Sequence, residues 1–291
     1  MMAVTAEKPL IRSRRDTSPA SRGTVMALLG LSAFYFLFPL WWLLVSATKP
    51  FGEQFSGTGL WFDGWGLFDN IARLSSQDGG IFWRWMLNSV LYCGVGALLG
   101  TAFSALTGYA LAKYDFPGRG ALFGVVLAAV LVPKVLFTLP LYLMFSEVHL
   151  IDNPLAVLLP SVVSPFGVYL SRVFAAQSVP DEVLEAGRLD GAGEFRIFGT
   201  IGVRMMLPAL VTIFLFQFVE IWNNYLLPVM VLGDDRLQPV TVGLAGWNAS
   251  HVAVPPPLVV VGSLVSVVPL LIAFLALQRF WRAGMTAGAV K

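Results

Sequence analysis

One cysteine and two histidines are all the thiol and imidazole that this chain of 291 residues contains. Cys93 lies in an apolar run with no partner, which excludes a disulfide framework and a cysteine metal site and leaves it as a small buried apolar residue. His149 and His251 fall in separate loops, distant in sequence, where solvated side chains are expected rather than a catalytic or metal constellation. Phosphate-loop chemistry is missing as well. None of Lys8, Lys49, Lys113, Lys134 or Lys291 is preceded by glycine or followed by serine or threonine, so no P-loop is available to bind ATP. Neither a cofactor nor a metal is expected, and the chain is not read as an enzyme. Charge is the largest deficit: 12% of residues are charged and 57% hydrophobic, where soluble chains carry about 25% and about 45–50%. A net charge of +2 gives no reason to expect nucleic acid.

What fills the chain is membrane-spanning sequence. About 20 apolar residues cross the hydrocarbon core, so the length accommodates roughly six spans plus loops. They are expected near 25–46, 85–112, 121–145, 155–174, 205–232 and 258–277. Residues 1–23 carry Lys8, Arg12, Arg14, Arg15 and Arg22 among Ser, Thr and Pro, and are expected to be a disordered cytoplasmic segment. A signal peptide is the competing reading, but the following apolar run is too long and lacks a small-residue cleavage site. Trp41 and Trp42 suit the outer interface. The stretch from there to about Trp83 reads as an external loop. Pro133 and Pro140 break the third span, and Pro160 and Pro165 fall in the fourth. Lys and Arg gather in the segments assigned inside, whereas the outer segments hold only Lys49, Arg73, Arg84 and Arg236, with Lys134 left within a span. Both termini, including the tail 283–291, are therefore placed in the cytoplasm, flanking a membrane domain over 24–282.

Between the fourth and fifth spans stands a charged island, Pro180 to Glu194, reading PDEVLEAGRLDGAGE. Pro180 suits a first helical position, and Asp181, Glu182 and Glu185 favour the positive end of the helix dipole. Glycine is costly inside a helix, so the helix should falter at Asp190-Gly191 and resume near Glu194. A solvated surface helix is the bland alternative. Charged residues placed in spans invite a functional reading because burying them in lipid is costly. Lys134 either lines a path or snorkels to an interface. Glu220 with Trp222, Asn223 and Asn224 is a candidate path lining, since amides and an aromatic ring suit sugar hydroxyls and faces; the competing role is hydrogen bonding between helices.

The stretch EAGRLDGAGEF resembles the EAA loop of ABC-transporter permease subunits, whose pattern is E-A-A, three residues, then G. Glu185, Ala186, Asp190, Gly191 and Ala192 carry the match; Gly187 replaces the second alanine, and the later Ile-x-Leu-Pro is displaced to Leu207-Pro208. Asn88-Ser89, GYALAK over 108–113, FPGR over 116–119, Pro165-Phe166-Gly167, Glu220-Ile221-Trp222-Asn223, and Gln278-Arg279 with GMTAGAVK over 284–291 are similar to the maltose-type carbohydrate branch of these permeases. The resemblance implies an all-α, polytopic importer subunit of six transmembrane helices, with loop 179–204 forming a cytoplasmic coupling helix. It further implies a second permease subunit in a heterodimer, two ATP-binding subunits, an extracytoplasmic solute-binding protein and a carbohydrate substrate. A glycerol-phosphate importer is the nearest alternative. A secondary transporter would need internal repeats, and none is clear; a membrane enzyme would need a polar constellation that is missing.

Overall fold

The computed structural model describes residues 19–53, 55, 59–250 and 254–287, and among these there is no strand. Helix α1, Pro19–Thr48, is followed by a short α2, Leu67–Ser76, and by α3, Ile81–Lys113. Residues 19–23 of the basic segment thus belong to a helix, while 1–18 lie outside the described residues. The expected external loop before Trp83 contains α2, whose Leu74 and Asn70 are buried, and α3 begins at Ile81 rather than near Trp85. At about 1.5 Å per residue, the 33 residues of α3 make it longer than a bilayer core is thick. It is the central post of the molecule, packed against α6, Pro154–Val162, α7, Pro165–Ser178, and α10, Val203–Trp222. Gly108 permits the closest of these approaches: a Cβ there would stand 2.6 Å from the Arg172 nitrogen and 2.8 Å from the Val168 carbonyl oxygen. Backbone contact of this kind is how small residues hold membrane helices together.

The third expected span is two helices. α4, Arg119–Leu131, is bent by 97° from the helical stretch Lys134–Glu147, which opens with a 3-10 turn and continues as α5, Thr138–Glu147. Pro133 supplies the physical reason: it has no N–H and pushes Val132 out of the helical region, to φ −81°, ψ 123°. Pro140, expected to break the span too, lies in the first turn of α5 and leaves it intact. The fourth span is interrupted between α6 and α7, where Val163 and Ser164 are extended ahead of Pro165 and the Ser164 hydroxyl accepts from Gly167 N at 3.1 Å.

The island folds as expected, one residue late: Pro180 is the residue before α8, Asp181–Leu189, and α9, Glu194–Ile197, follows after the turn. A π turn over 198–202 joins α9 to α10. The fifth span therefore runs from Glu194 and stops at Trp222 instead of reaching Leu232. Asn223 and Asn224 stop it, the Asn223 amide bonding back to the Val219 carbonyl at 2.8 Å. Short α11, Leu226–Val231, and α12, Val240–Ala249, occupy what was expected to be span end and loop, and α13, Pro256–Ala287, is the last long helix. Among the described residues, five helical stretches are long and apolar enough to cross a membrane, six if the bent α4–α5 pair counts as one. His149 lies at the end of α5 with φ 56°, and His251 is outside the described residues.

Among the described residues, three apolar clusters hold the bundle. One, around Leu74, Phe82, Trp85 and Trp247, ties α2 and α12 to the start of α3. A second, around Tyr109, Leu184, Ile197 and Met206, fixes α8 and α9 beneath the opposite end of α3. The third, with Tyr92, Phe145, Val157 and Leu227, joins α5, α6 and α11.

Candidate functional site

Helix α8 lies outside the bundle with two unlike faces. Leu184 and Gly187 are buried on the second cluster, while Asp181, Glu182, Glu185, Ala186 and Asp190 are exposed. Its end is a Schellman motif: Ala192 N donates to the Gly187 carbonyl and Gly191 N to that of Arg188, both at 3.0 Å, with Gly191 at φ +79°. Glycine is required there because the left-handed region penalises a side chain. Gly187, the departure from E-A-A, has room for a methyl group, since an added Cβ would meet Ile197 and Ile201 at 3.4 Å.

Two anchors that the sequence did not disclose hold α8 and α9 to the turn after α3. The Lys113 ammonium, almost fully covered, pairs with Asp181 at 2.8 Å. The Tyr114 hydroxyl donates to Glu194 at 2.7 Å, and Arg188 donates to the same carboxylate at 2.7 and 3.2 Å. Burial first, and then its hydrogen bond to Glu194, push the Tyr114 phenol up to about 12, so it remains a donor at any physiological pH. The complementary charges on 113 and 181–194 were visible as residue types, but only tertiary placement pairs them. Apolar side chains beside the charged face are strongly exposed: Leu189 at 90% and Phe195 at 88%.

A second site forms where the helices break. The α4–α5 bend, the α6–α7 interruption and the α10–α11 gap converge on one cavity of about 710 Å³. Lys134, Glu220, Asn223 and Asn224 all line it, as does Tyr225, and the Lys134 ammonium forms an ion pair with the Glu220 carboxylate. Trp222 does not join them. It is buried in the first apolar cluster, stacked on Phe218 at 6.0 Å between ring centroids, because the helical turn points it opposite to its neighbours.

Gln217, which the sequence reading passed over, is the cavity's most enclosed polar residue. It is 4% exposed, its carbonyl accepts from Thr101 at 3.5 Å, and its amide nitrogen has no partner among the described residues. The signal was present: 217 and 220, three residues apart, share one face of α10. Helices interrupted at mid-membrane leave backbone polar groups free to meet a polar solute, which is how discontinuous helices form transport sites.

Residues 100–285 match the family described as binding-protein-dependent transport system inner membrane component. The arabinooligosaccharides transport system permease protein AraQ of Halalkalibacterium halodurans is 34% identical over 280 residues, covering 96% of this chain and 99% of that one. The lactose transport system permease protein LacG of Rhizobium radiobacter is 30% identical, with 91% and 94% covered. The sn-glycerol-3-phosphate transport system permease protein UgpE of Salmonella choleraesuis is 27% identical, with 95% and 98% covered. Among solved structures, a bacterial ABC transporter involved in the import of the acidic polysaccharide alginate has a chain of the same fold, with TM-score 0.76, 22% identity, and 91% and 99% covered.

Proposed function

Because this chain belongs to the binding-protein-dependent transport system inner membrane component family, we propose that it forms half of the path by which an ATP-driven importer carries a sugar or oligosaccharide. It is a permease subunit and an integral membrane protein; ATP hydrolysis is assigned to separate subunits docked on α8. The observation that carries the reading is the convergence of helix breaks on one largely apolar cavity into which Lys134, Gln217, Glu220, Asn223 and Asn224 bring polar groups. Amides from Asn223 and Asn224, the Thr138 hydroxyl and the Tyr225 ring suit a solute rich in hydroxyl groups. The oligosaccharide relatives favour that solute class over glycerol phosphate.

In this mechanism α8 transmits motion. Its buried face keeps it fixed to α3 and α9, while Glu185, Ala186, Asp190, Leu189 and Phe195 face outward to a cytoplasmic ATPase. Glu185 accepts charge-assisted hydrogen bonds from that partner, and the Gly191 turn, with Gly187 and Ala192 closing it, sets the angle between α8 and α9. ATP-driven closure of the two ATPases then rocks the bundle, and with a second permease exposes the cavity alternately to each side. A solute-binding protein delivers substrate at the opposite end.

The test uses the assembled transporter in proteoliposomes. Glu185→Ala and Gly191→Val are expected to insert normally and to leave ATPase activity that no longer drives uptake. Full uptake in both variants would remove the coupling role from α8. Uptake of glycerol phosphate but of no oligosaccharide by the unaltered transporter would overturn the substrate class alone.

A further inference from the structure

The last turn of α1 is enclosed by protein, whereas the rest of the helix is bare. Residues 21–41 are exposed and 45–49 buried. The enclosure comes from α13, whose Leu258 and Val261 share an apolar cluster with Ala47, and from the start of α2: Gly66 N donates to the Thr48 carbonyl at 2.7 Å, and the Asn70 amide to those of Ala47 and Lys49 at 3.0 and 2.8 Å. Between these points the chain turns back along α1. The Trp41 indole donates to the Leu60 carbonyl at 3.0 Å and meets the Phe62 ring edge-on at 5.5 Å. Gly59 lies against Trp42, where a Cβ would be 3.4 Å from the indole nitrogen. Trp41 precedes the helix end by about 10 Å at 1.5 Å per residue. Residues 59–62 therefore lie where the bare part of a membrane span gives way to its covered end.

From 59 to 68 the chain reads GLWFDGWGLF, with Asp63 its sole charge. Trp61, Trp65 and Phe68 are 67%, 62% and 73% exposed. The segment is held in place, since a Cβ on Gly66 would lie 2.9 Å from the Pro50 Cα. We propose that it is seated in the bilayer as an aromatic anchor, its partner being the boundary between headgroups and acyl chains of the leaflet at the C-terminal end of α1. Depth and continuity favour lipid over a soluble protein: residues 59–62 extend the bare surface of α1 short of its end, and Trp65 and Phe68 follow level with that end, a boundary where Trp and Phe are favoured and a polar partner is not. The anchor fixes the height of α1 in the membrane, independently of what the transporter carries.

The test places single cysteines at Trp61, Trp65 or Phe68 in a Cys93→Ala background, the full chain being reconstituted in phosphatidylethanolamine and phosphatidylglycerol vesicles. The unaltered protein, with only buried Cys93, is the labelling blank. These positions are exposed, so the substitutions remove no buried contact. An environment-sensitive fluorophore at each is expected to be quenched about twofold by lipids spin-labelled high on the acyl chain and little by aqueous iodide. Glu185→Cys, on the exposed face of α8, should show the reverse. Quenching by iodide at the three positions, or by neither reagent, overturns the anchor, the second result pointing to a covering protein surface instead.

Discussion

At the scale of single residues, two glycines in the same motif behave oppositely. Gly191 holds φ +79° at the end of α8, so Gly191→Ala should cost about 1–2 kcal/mol. Gly187 is inside the helix with space for a methyl against Ile197 and Ile201, so Gly187→Ala should stabilise by about 0.5–1 kcal/mol. Thermal denaturation of the two purified variants, compared with the parent, measures both; equal shifts of the same sign would contradict this account. Gly191 was legible in the sequence because an Asp-Gly after an acidic helix start predicts a stop. The tolerance at Gly187 was not, since it depends on how far away Ile197 and Ile201 lie. Trp222 was misplaced for a related reason: a polar neighbourhood in sequence does not fix which side of a helix an intervening residue faces.

Among elements, the positions of the long helices followed from apolar run lengths, but where they break did not. Proline marked the α4–α5 bend, yet Pro133 breaks the chain and Pro140 does not, because the first turn of a helix lacks the bonds proline destroys. The stop at Asn223 and the helices α2 and α12 were hidden within stretches that read as span or loop. The bend has a testable role, since it carries Lys134 to Glu220. In Pro133→Ala, Val132 is no longer forced out of the helix and α4 can extend, which moves Lys134 away. Paired cysteines at 134 and 220, in a Cys93→Ala background, should be bridged readily by a bismaleimide of about 10 Å span, longer than the reach of a disulfide, with Pro133 present and poorly with alanine there, and uptake should fall in parallel. Unchanged crosslinking would show that packing alone sets the bend.

Over the whole molecule, each end is sewn together by bonds between loops remote in sequence. At one end Lys113 and Tyr114 hold Asp181 and Glu194. At the other, Trp85 Nε1 donates to the Asp235 carbonyl at 2.7 Å, Asn88 to that of Arg236 at 2.9 Å, and Tyr92 to that of Leu237 at 2.8 Å. These contacts assign the loops to two ends without a membrane, and the division is the one that alternating spans require. Which end faces the cytoplasm is a matter of charge. Lys113, Arg119, Arg188, Arg196 and Arg204 gather at the α8 end, against Lys49, Arg73, Arg84 and Arg236 at the other, and cations near span ends are retained inside. Asp115 and Arg236 are exposed on opposite ends. In a Cys93→Ala background, Arg236→Cys should therefore react with a membrane-impermeant maleimide applied to intact cells with the outer face accessible. Asp115→Cys should react only after permeabilisation. The reversed pattern would place α8 outside, beyond reach of any ATPase, and would remove the coupling mechanism together with the orientation.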